Sequence, residues 1–180
     1  VRLLLLPAIQ SVFHPGDAAT SLLRRSGIFL CAVLAYWAYV RFIEKRVASE
    51  LRIAPRSIAL GAISGSLLIA IALLPMFALG AYDVGAYRGL QPGLLGVAGV
   101  IVVAAVLEEL IYRCILFRIL ETAMGTVWAL WLQSLVFALM HIANIEDRAS
   151  TQELVTTVVA GTLIGAFWTL VFVHTRNLWV

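Results

Sequence analysis

Charged residues are scarce in this sequence. Asp, Glu, Lys and Arg make up 13% of the 180 residues, whereas 62% are hydrophobic and the mean hydropathy is +0.99. Soluble globular domains carry about 25% charged residues, so the composition excludes that class. Cysteine is also scarce: Cys31 and Cys114 lie inside apolar segments, without the paired spacing of zinc sites or redox motifs. We expect both to be ordinary buried residues.

Long apolar runs take the place of the missing charge. An apolar helix of about 20 residues crosses a bilayer, because every backbone polar group is then satisfied within the segment. Five such segments are predicted, at residues 26–40, 57–80, 94–117, 126–141 and 152–174. The sequence therefore predicts an all-α fold, a polytopic transmembrane helix bundle. The apolar stretch 1–13 is too short to cross by itself.

No internal repeat, low-complexity tract or long linker divides the chain. We therefore expect a single membrane domain over residues 1–180, clipped at both ends. Gly161 and Gly165 form a pair of small residues four apart, a spacing that favours close packing of transmembrane helices.

Basic residues concentrate between the first two predicted spans, and this loop contains Arg41, Lys45, Arg46, Arg52 and Arg56. Arg24 and Arg25 precede the first span on the opposite side. The positive-inside rule makes the basic loop cytoplasmic, and we expect an integral protein of the bacterial cytoplasmic membrane. The net charge of +3 suits lipid headgroups better than nucleic acid, so membrane lipids are expected partners and nucleic acid is not.

Three charged residues stand inside the third predicted span: Glu108, Glu109 and Arg113. A charge at the centre of a span costs about 2.5 to 3.5 kcal/mol, so such residues usually face a bundle interior and mark function. Glu109 and Arg113 are spaced i and i+4 in the order that favours a structural ion pair. Glu108 is rotated by about 100° from Glu109 and lacks such a partner, which makes it a candidate general base.

The fourth predicted span places Phe137 and His141 on one helix face, with Asn144 about one turn further on. A lone histidine on an apolar face is usually a satisfied core residue. Here the short connection at residues 118–125 makes the third and fourth spans neighbours. We therefore expect Glu108 and His141 to converge.

These residues resemble the first two signatures of the CAAX protease and bacteriocin-processing family. Glu108-Glu109-Leu110-Ile111-Tyr112-Arg113 is similar to Glu-Glu-x-x-x-Arg, and Phe137-Ala138-Leu139-Met140-His141 is similar to Phe-x-x-x-His. The likeness extends over residues 44–180, including the basic segment 44–51. It implies an intramembrane endopeptidase of the glutamate type that cleaves a peptide or prenylated protein.

The resemblance also implies roles for individual residues. Glu108 would activate the hydrolytic water, and His141 would position the water or polarise the substrate. Glu109 and Arg113 would hold the motif in place. The family's third motif, His followed four residues later by Asn or Asp, is missing here, since His174 and Asn177 have the wrong spacing. We interpret the chain as truncated before that motif.

Three alternatives stay open. A metalloendopeptidase would need Glu108, Glu109 and His141 to share an ion, but no His-Glu-x-x-His helix is present, so we expect no metal and no cofactor. A non-catalytic bacteriocin-immunity or scaffold protein of the same fold is the second alternative. A proton relay or transporter is the third, although no inverted repeat is detected. The residues specify neither the substrate sequence nor an oligomeric state.

Overall fold

The computed structural model describes residues 17–83, 85–86, 89, 93–143 and 150–179. Of these described residues, 84% are helical and none lies in a strand. The predicted all-α fold is therefore confirmed. The apolar stretch 1–13 lies outside the described residues.

Within the described ranges, six α-helices and three short segments of other helix types follow one another. They are α1 (Asp17–Ala38), a first π-helical segment (Tyr39–Ile43), a 3-10 turn (Ser49–Leu51), α2 (Pro55–Ala78), α3 (Leu94–Glu108), a second π-helical segment (Glu109–Phe117), α4 (Arg118–Met124), α5 (Thr126–Ile142) and α6 (Thr151–Thr175).

Four continuous helical stretches are long and apolar enough to cross a membrane: Thr20–Ile43, Pro55–Ala78, Leu94–Met124 and Thr151–Thr175. The fifth predicted span is the apolar helix α5, whose 17 residues extend for about 25 Å at 1.5 Å per residue. That length falls short of an apolar layer of about 30 Å. The protein is an integral membrane protein with at least four helices of spanning length.

Two predicted boundaries are wrong because polar residues occupy helical turns. Helix α1 begins at Asp17, so Arg24 and Arg25 lie within it and not before it. The predicted connection 118–125 is helical as far as Met124, and Gly125 alone separates α4 from α5. Gly125 has φ = +80°, a conformation that residues with a Cβ rarely adopt, and it therefore ends the helix abruptly.

The expectation that both cysteines are buried is correct for one of them. Cys114 is buried, whereas Cys31 is exposed on the surface of α1. A thiol is small and weakly polar, so the surroundings of an apolar transmembrane helix accommodate it as well as a protein core does.

Packing divides the chain into two compact units: residues 1–46, 53–106 and 179–180 form the first, and residues 47–52 and 107–178 form the second. In the second unit, α5 and α6 pack along each other. A Cβ added at Gly161 would lie 3.0 Å from the Cβ of Ala138, and one at Gly165 would lie 3.2 Å from Ser134. The predicted role of this glycine pair in close packing is confirmed.

Polar contacts fasten the segment 47–52 within the second unit. Glu50 is buried, its carboxylate accepts a hydrogen bond from Arg118 at 3.3 Å, and its carbonyl accepts one from the Leu178 amide at 2.8 Å. Asn177 donates its side-chain amide to the Arg52 carbonyl at 2.7 Å. These bonds tie the chain after the first π segment to the turn that follows α6.

Candidate active site

The carboxylates of the third span lie where the helix changes type. Helix α3 ends at Glu108, and the π-helical segment begins at Glu109 and continues to Phe117. A π-helix bonds residue i to i+5, is rare, and is frequently found at functional sites. Glu109 and Arg113 both lie in this π-helical segment. The helix therefore departs from regular α geometry at the motif itself.

Glu109 and Arg113 form the ion pair that their spacing predicts. Arg113 Nη1 lies 3.2 Å from Glu109 Oε1, and the Arg113 side chain is only 1% exposed. Its guanidinium also stacks over the Phe137 ring, 5.0 Å from the centroid, which is a cation–π contact from the second π segment to α5. Arg113 is therefore occupied in joining two helices.

Phe137 connects the parts of this site. Its ring lies 5.1 Å from that of Tyr112 in an edge-to-face arrangement and 4.4 Å from the ring of His141. A Cβ added at Gly165 of α6 would come within 3.3 Å of the Phe137 ring. Phe137 is thus held from three sides, and it fixes the imidazole beside it.

Glu108 and His141 face each other from neighbouring helices. Glu108 Oε1 and His141 Nε2 are 3.9 Å apart, and the two side chains are 41% and 38% exposed. His141 Nδ1 lies 2.8 Å from the Phe137 carbonyl oxygen. A carbonyl oxygen can only accept, so this contact places a hydrogen on Nδ1, and Nε2 is the ring nitrogen that faces the carboxylate.

The gap between these two atoms suits one water molecule. A separation of 3.9 Å exceeds the roughly 2.7 to 3.2 Å of a direct hydrogen bond. If a water oxygen lay about 2.8 Å from each atom, the angle at that oxygen between its two contacts would be about 90°. This angle is near the tetrahedral arrangement that water prefers. The arrangement can therefore hold a water whose two hydrogens point at two acceptors, a carboxylate oxygen and an imidazole nitrogen.

Not every residue singled out from the sequence joins this group. Asn144 lies outside the described residues. His174 is exposed at the end of α6, and Asn177 donates to the Arg52 carbonyl. Within the described part of the chain, no three residues among His, Cys, Asp and Glu come together as ligands for a metal ion.

Sequence reasoning missed a buried polar contact on the same face of α5. Gln133 and Thr169 are fully buried, and the Thr169 hydroxyl donates to the Gln133 side-chain oxygen at 2.5 Å. Gln133 stands one turn before Phe137 and two turns before His141. A glutamine inside an apolar helix was the available signal, since buried amides need partners. This contact fixes the register of α5 against α6.

These features define an α-helical membrane protein in which a partly exposed carboxylate and imidazole, Glu108 and His141, lie beside an ion pair whose arginine is buried. Residues 90–180, just over half of the chain, match the family model described as type II CAAX prenyl endopeptidase Rce1-like. The chain belongs to this family, and the resemblance inferred from the two motifs is confirmed. At the level of the family it is a membrane-embedded CAAX-type peptidase. No curated protein and no solved structure matches the chain.

Proposed function

We propose that this protein is an intramembrane endopeptidase in which Glu108 activates a water molecule for attack on a peptide bond. The observation that carries the proposal is the opposition of Glu108 Oε1 and His141 Nε2 across 3.9 Å, with both side chains partly exposed. Water can reach the two groups, and each can accept one of its hydrogens. The substrate is a membrane-associated or lipid-modified protein.

The reaction follows from the positions of the acceptors. Glu108 takes a proton from the water as the oxygen forms a bond to the carbonyl carbon, and the carbonyl oxygen becomes an oxyanion. The protonated Glu108 then delivers that proton to the leaving amine as the C–N bond breaks. The products are a carboxylic acid and an amine, and the carboxylate of Glu108 is regenerated by the delivery of its proton to the amine. The acid product then loses its own proton to bulk water.

His141 acts on the water and not on the oxyanion in this scheme. Its Nδ1 hydrogen is donated to the Phe137 carbonyl, and in the proposed mechanism the ring carries no second hydrogen, so that Nε2 acts as an acceptor. Nε2 instead accepts the second hydrogen of the water and aims the oxygen lone pair away from both acceptors. Such positioning matters because misplacing a reacting atom by about 1 Å can cost about a hundredfold in rate.

Glu109, Arg113 and Phe137 are positioning residues in the proposal. The ion pair stabilises the widened helix turn that presents Glu108, and the guanidinium stack fixes Phe137 beside the imidazole. Because Arg113 is 1% exposed, it is poorly placed to bind substrate directly. Glu108 and His141, the active pair, are thus supported by side chains whose own geometry is fixed by packing.

The membrane location limits the class of substrate. The carboxylate lies within the helical stretch Leu94–Met124, so a substrate bond must enter the apolar layer beside the protein. A segment next to a lipid anchor, or a membrane-embedded peptide, satisfies that requirement. The family's description as a prenyl endopeptidase favours a prenylated C-terminal segment.

The test is cleavage of prenylated and unmodified quenched fluorescent peptides by the full-length protein in proteoliposomes. Glu108→Gln keeps the size of the side chain but removes the base, and we expect activity to fall by about 10² to 10⁴, the usual contribution of general-base catalysis. Asp83→Asn is the matched control, since Asp83 is an exposed acid in the connection after α2. Wild-type activity in Glu108→Gln would overturn the mechanism.

A chelation series separates the metalloendopeptidase alternative. We expect full activity after exhaustive dialysis against a strong chelator, because neither acceptor of the proposed water needs a metal ion. Loss of activity that zinc restores would identify a metalloenzyme. A wild-type protein that binds the peptides without cleaving them would favour a non-catalytic immunity or scaffold role.

A further inference from the structure

A second candidate site lies in the first unit and includes none of the residues of the proposed mechanism. Helices α1 and α3 border an apolar groove of about 500 Å³, within the range of roughly 300 to 1,000 Å³ that is typical of ligand sites. Phe29 and Leu30 line it from α1, and Val102 and Val103 line it from α3. Among the described residues that line the groove, Arg25 is the one that carries a charge.

Arg25 is built into this groove. Its guanidinium passes over Gly96 and Gly99, and a Cβ at Gly99 would lie 3.3 Å from Arg25 Nη1 and 3.5 Å from its Cδ. Glycine within a helix costs about 1 kcal/mol relative to alanine, yet α3 has one at each position that the guanidinium crosses. The two glycines therefore make the space in which the cation lies.

The charge of Arg25 is not neutralised by the described part of the protein. Its Nε is buried and has no hydrogen-bond partner, and no described acidic side chain pairs with its guanidinium. An unpaired buried donor on a cation costs several kcal/mol unless a ligand satisfies it. The site consequently favours an anionic group.

Arg25 lies near one end of its apolar helical stretch, where a long arginine side chain can reach the lipid headgroups. Arg25 is five residues into the apolar stretch that starts at Thr20, about 7.5 Å along the helix. Gly96 and Gly99 lie within about the same distance of Leu94, where the stretch containing α3 begins. From that level the apolar lining continues deeper into the layer, toward Leu30 and Val103.

We propose that this groove binds an anionic phospholipid, with the phosphate on Arg25 and an acyl chain along Phe29, Leu30, Val102 and Val103. A zwitterionic lipid has the same phosphate but adds a cation. The described residues that line the groove offer no carboxylate to that cation, whereas an anionic headgroup has Arg25 as its counter-ion. The bound lipid bridges α1 and α3 and stabilises the first unit.

The experiment measures retention of phosphatidylglycerol and phosphatidylcholine of identical acyl chains by native mass spectrometry of the full chain. We expect the wild-type protein to prefer phosphatidylglycerol, and Arg25→Gln to lower that preference by about tenfold, which corresponds to about 1.4 kcal/mol. Arg24→Gln is the matched control, because it removes the same charge from the adjacent position, rotated by about 100° around the helix.

Gly99→Leu tests the groove without changing the charge. Its side chain would displace the Arg25 guanidinium, and we expect the same loss of preference. Thermal unfolding in each lipid checks that the variants fold: added phosphatidylglycerol should raise the melting temperature of wild type and Arg24→Gln, but not that of Arg25→Gln.

Three results would overturn the proposal. They are equal retention of the two lipids by wild type, equal losses in Arg24→Gln and Arg25→Gln, and binding of glycerol phosphate as tight as that of the lipid. The first would show that the protein does not recognise the headgroup charge, and the second would indicate general attraction of anionic lipid to basic residues. The third would show that the apolar groove contributes nothing. None of these measurements depends on peptidase activity.

Discussion

Replacing Arg113 by methionine tests the buried support of the active pair. The substitution keeps a long apolar side chain but leaves the Glu109 carboxylate, 23% exposed, without its cation. Removing one partner of a buried ion pair costs about 3 to 5 kcal/mol. Loss of the desolvated cation–π contact with Phe137 would contribute at most about 2 kcal/mol more. Because Glu109 keeps some exposure, we expect a loss of about 3 kcal/mol in the free energy of unfolding.

The double variant Glu109→Gln, Arg113→Met leaves no stranded charge, so we expect it to recover most of that loss and to cost about 1 kcal/mol. Equilibrium unfolding in mixed micelles, followed by tryptophan fluorescence, gives both values. Glu121→Gln is the control: it breaks the exposed pair with Arg176, which should contribute less than about 1 kcal/mol. A double variant as unstable as Arg113→Met would show that the unpaired Glu109 charge does not cause the loss of stability.

Two further predictions concern helix packing and capping. Gly165→Leu should destabilise the second unit by about 1 to 3 kcal/mol, since an added Cβ would lie 3.2 Å from Ser134. Gly93→Leu should cost little, because no atom of the described residues lies within 4 Å of a Cβ added there. Equal unfolding midpoints would contradict the packing argument. Ser150→Ala should cost about 1 kcal/mol by removing the reciprocal Ser150–Glu153 cap of α6, with Gln152→Ala as the control in the same assay. No difference between those two variants would refute the role of the cap.

The apolar segments could be predicted because hydropathy alone dictates them. All five correspond to helices, but the sequence placed the end of the third span at its first polar turn. Arg118 and Glu121 are tolerated in α4 because each has an ionic partner distant in sequence, Glu50 and Arg176 respectively. Such pairs are created by tertiary packing, so local polarity gave the wrong boundary.

For the candidate site, the sequence was sufficient to predict which helices come together. The i and i+4 spacing of Glu109 and Arg113 specifies an ion pair, and the short connection brings Glu108 and His141 together. The π-helical segment Glu109–Phe117, in which Arg113 is buried, was not predicted from the residue types. Nor could the sequence indicate that the Phe137 carbonyl fixes the proton on His141 Nδ1.

The central claim is that Glu108 and His141 act on one water molecule. Its most direct test is kcat/KM for wild type, Glu108→Gln, His141→Ala and the double variant on a single prenylated peptide. Groups that act as a unit show strongly non-additive losses. We expect the double variant to equal the slower single variant within about threefold. A double variant whose loss is the product of the two single losses would show that the residues act separately.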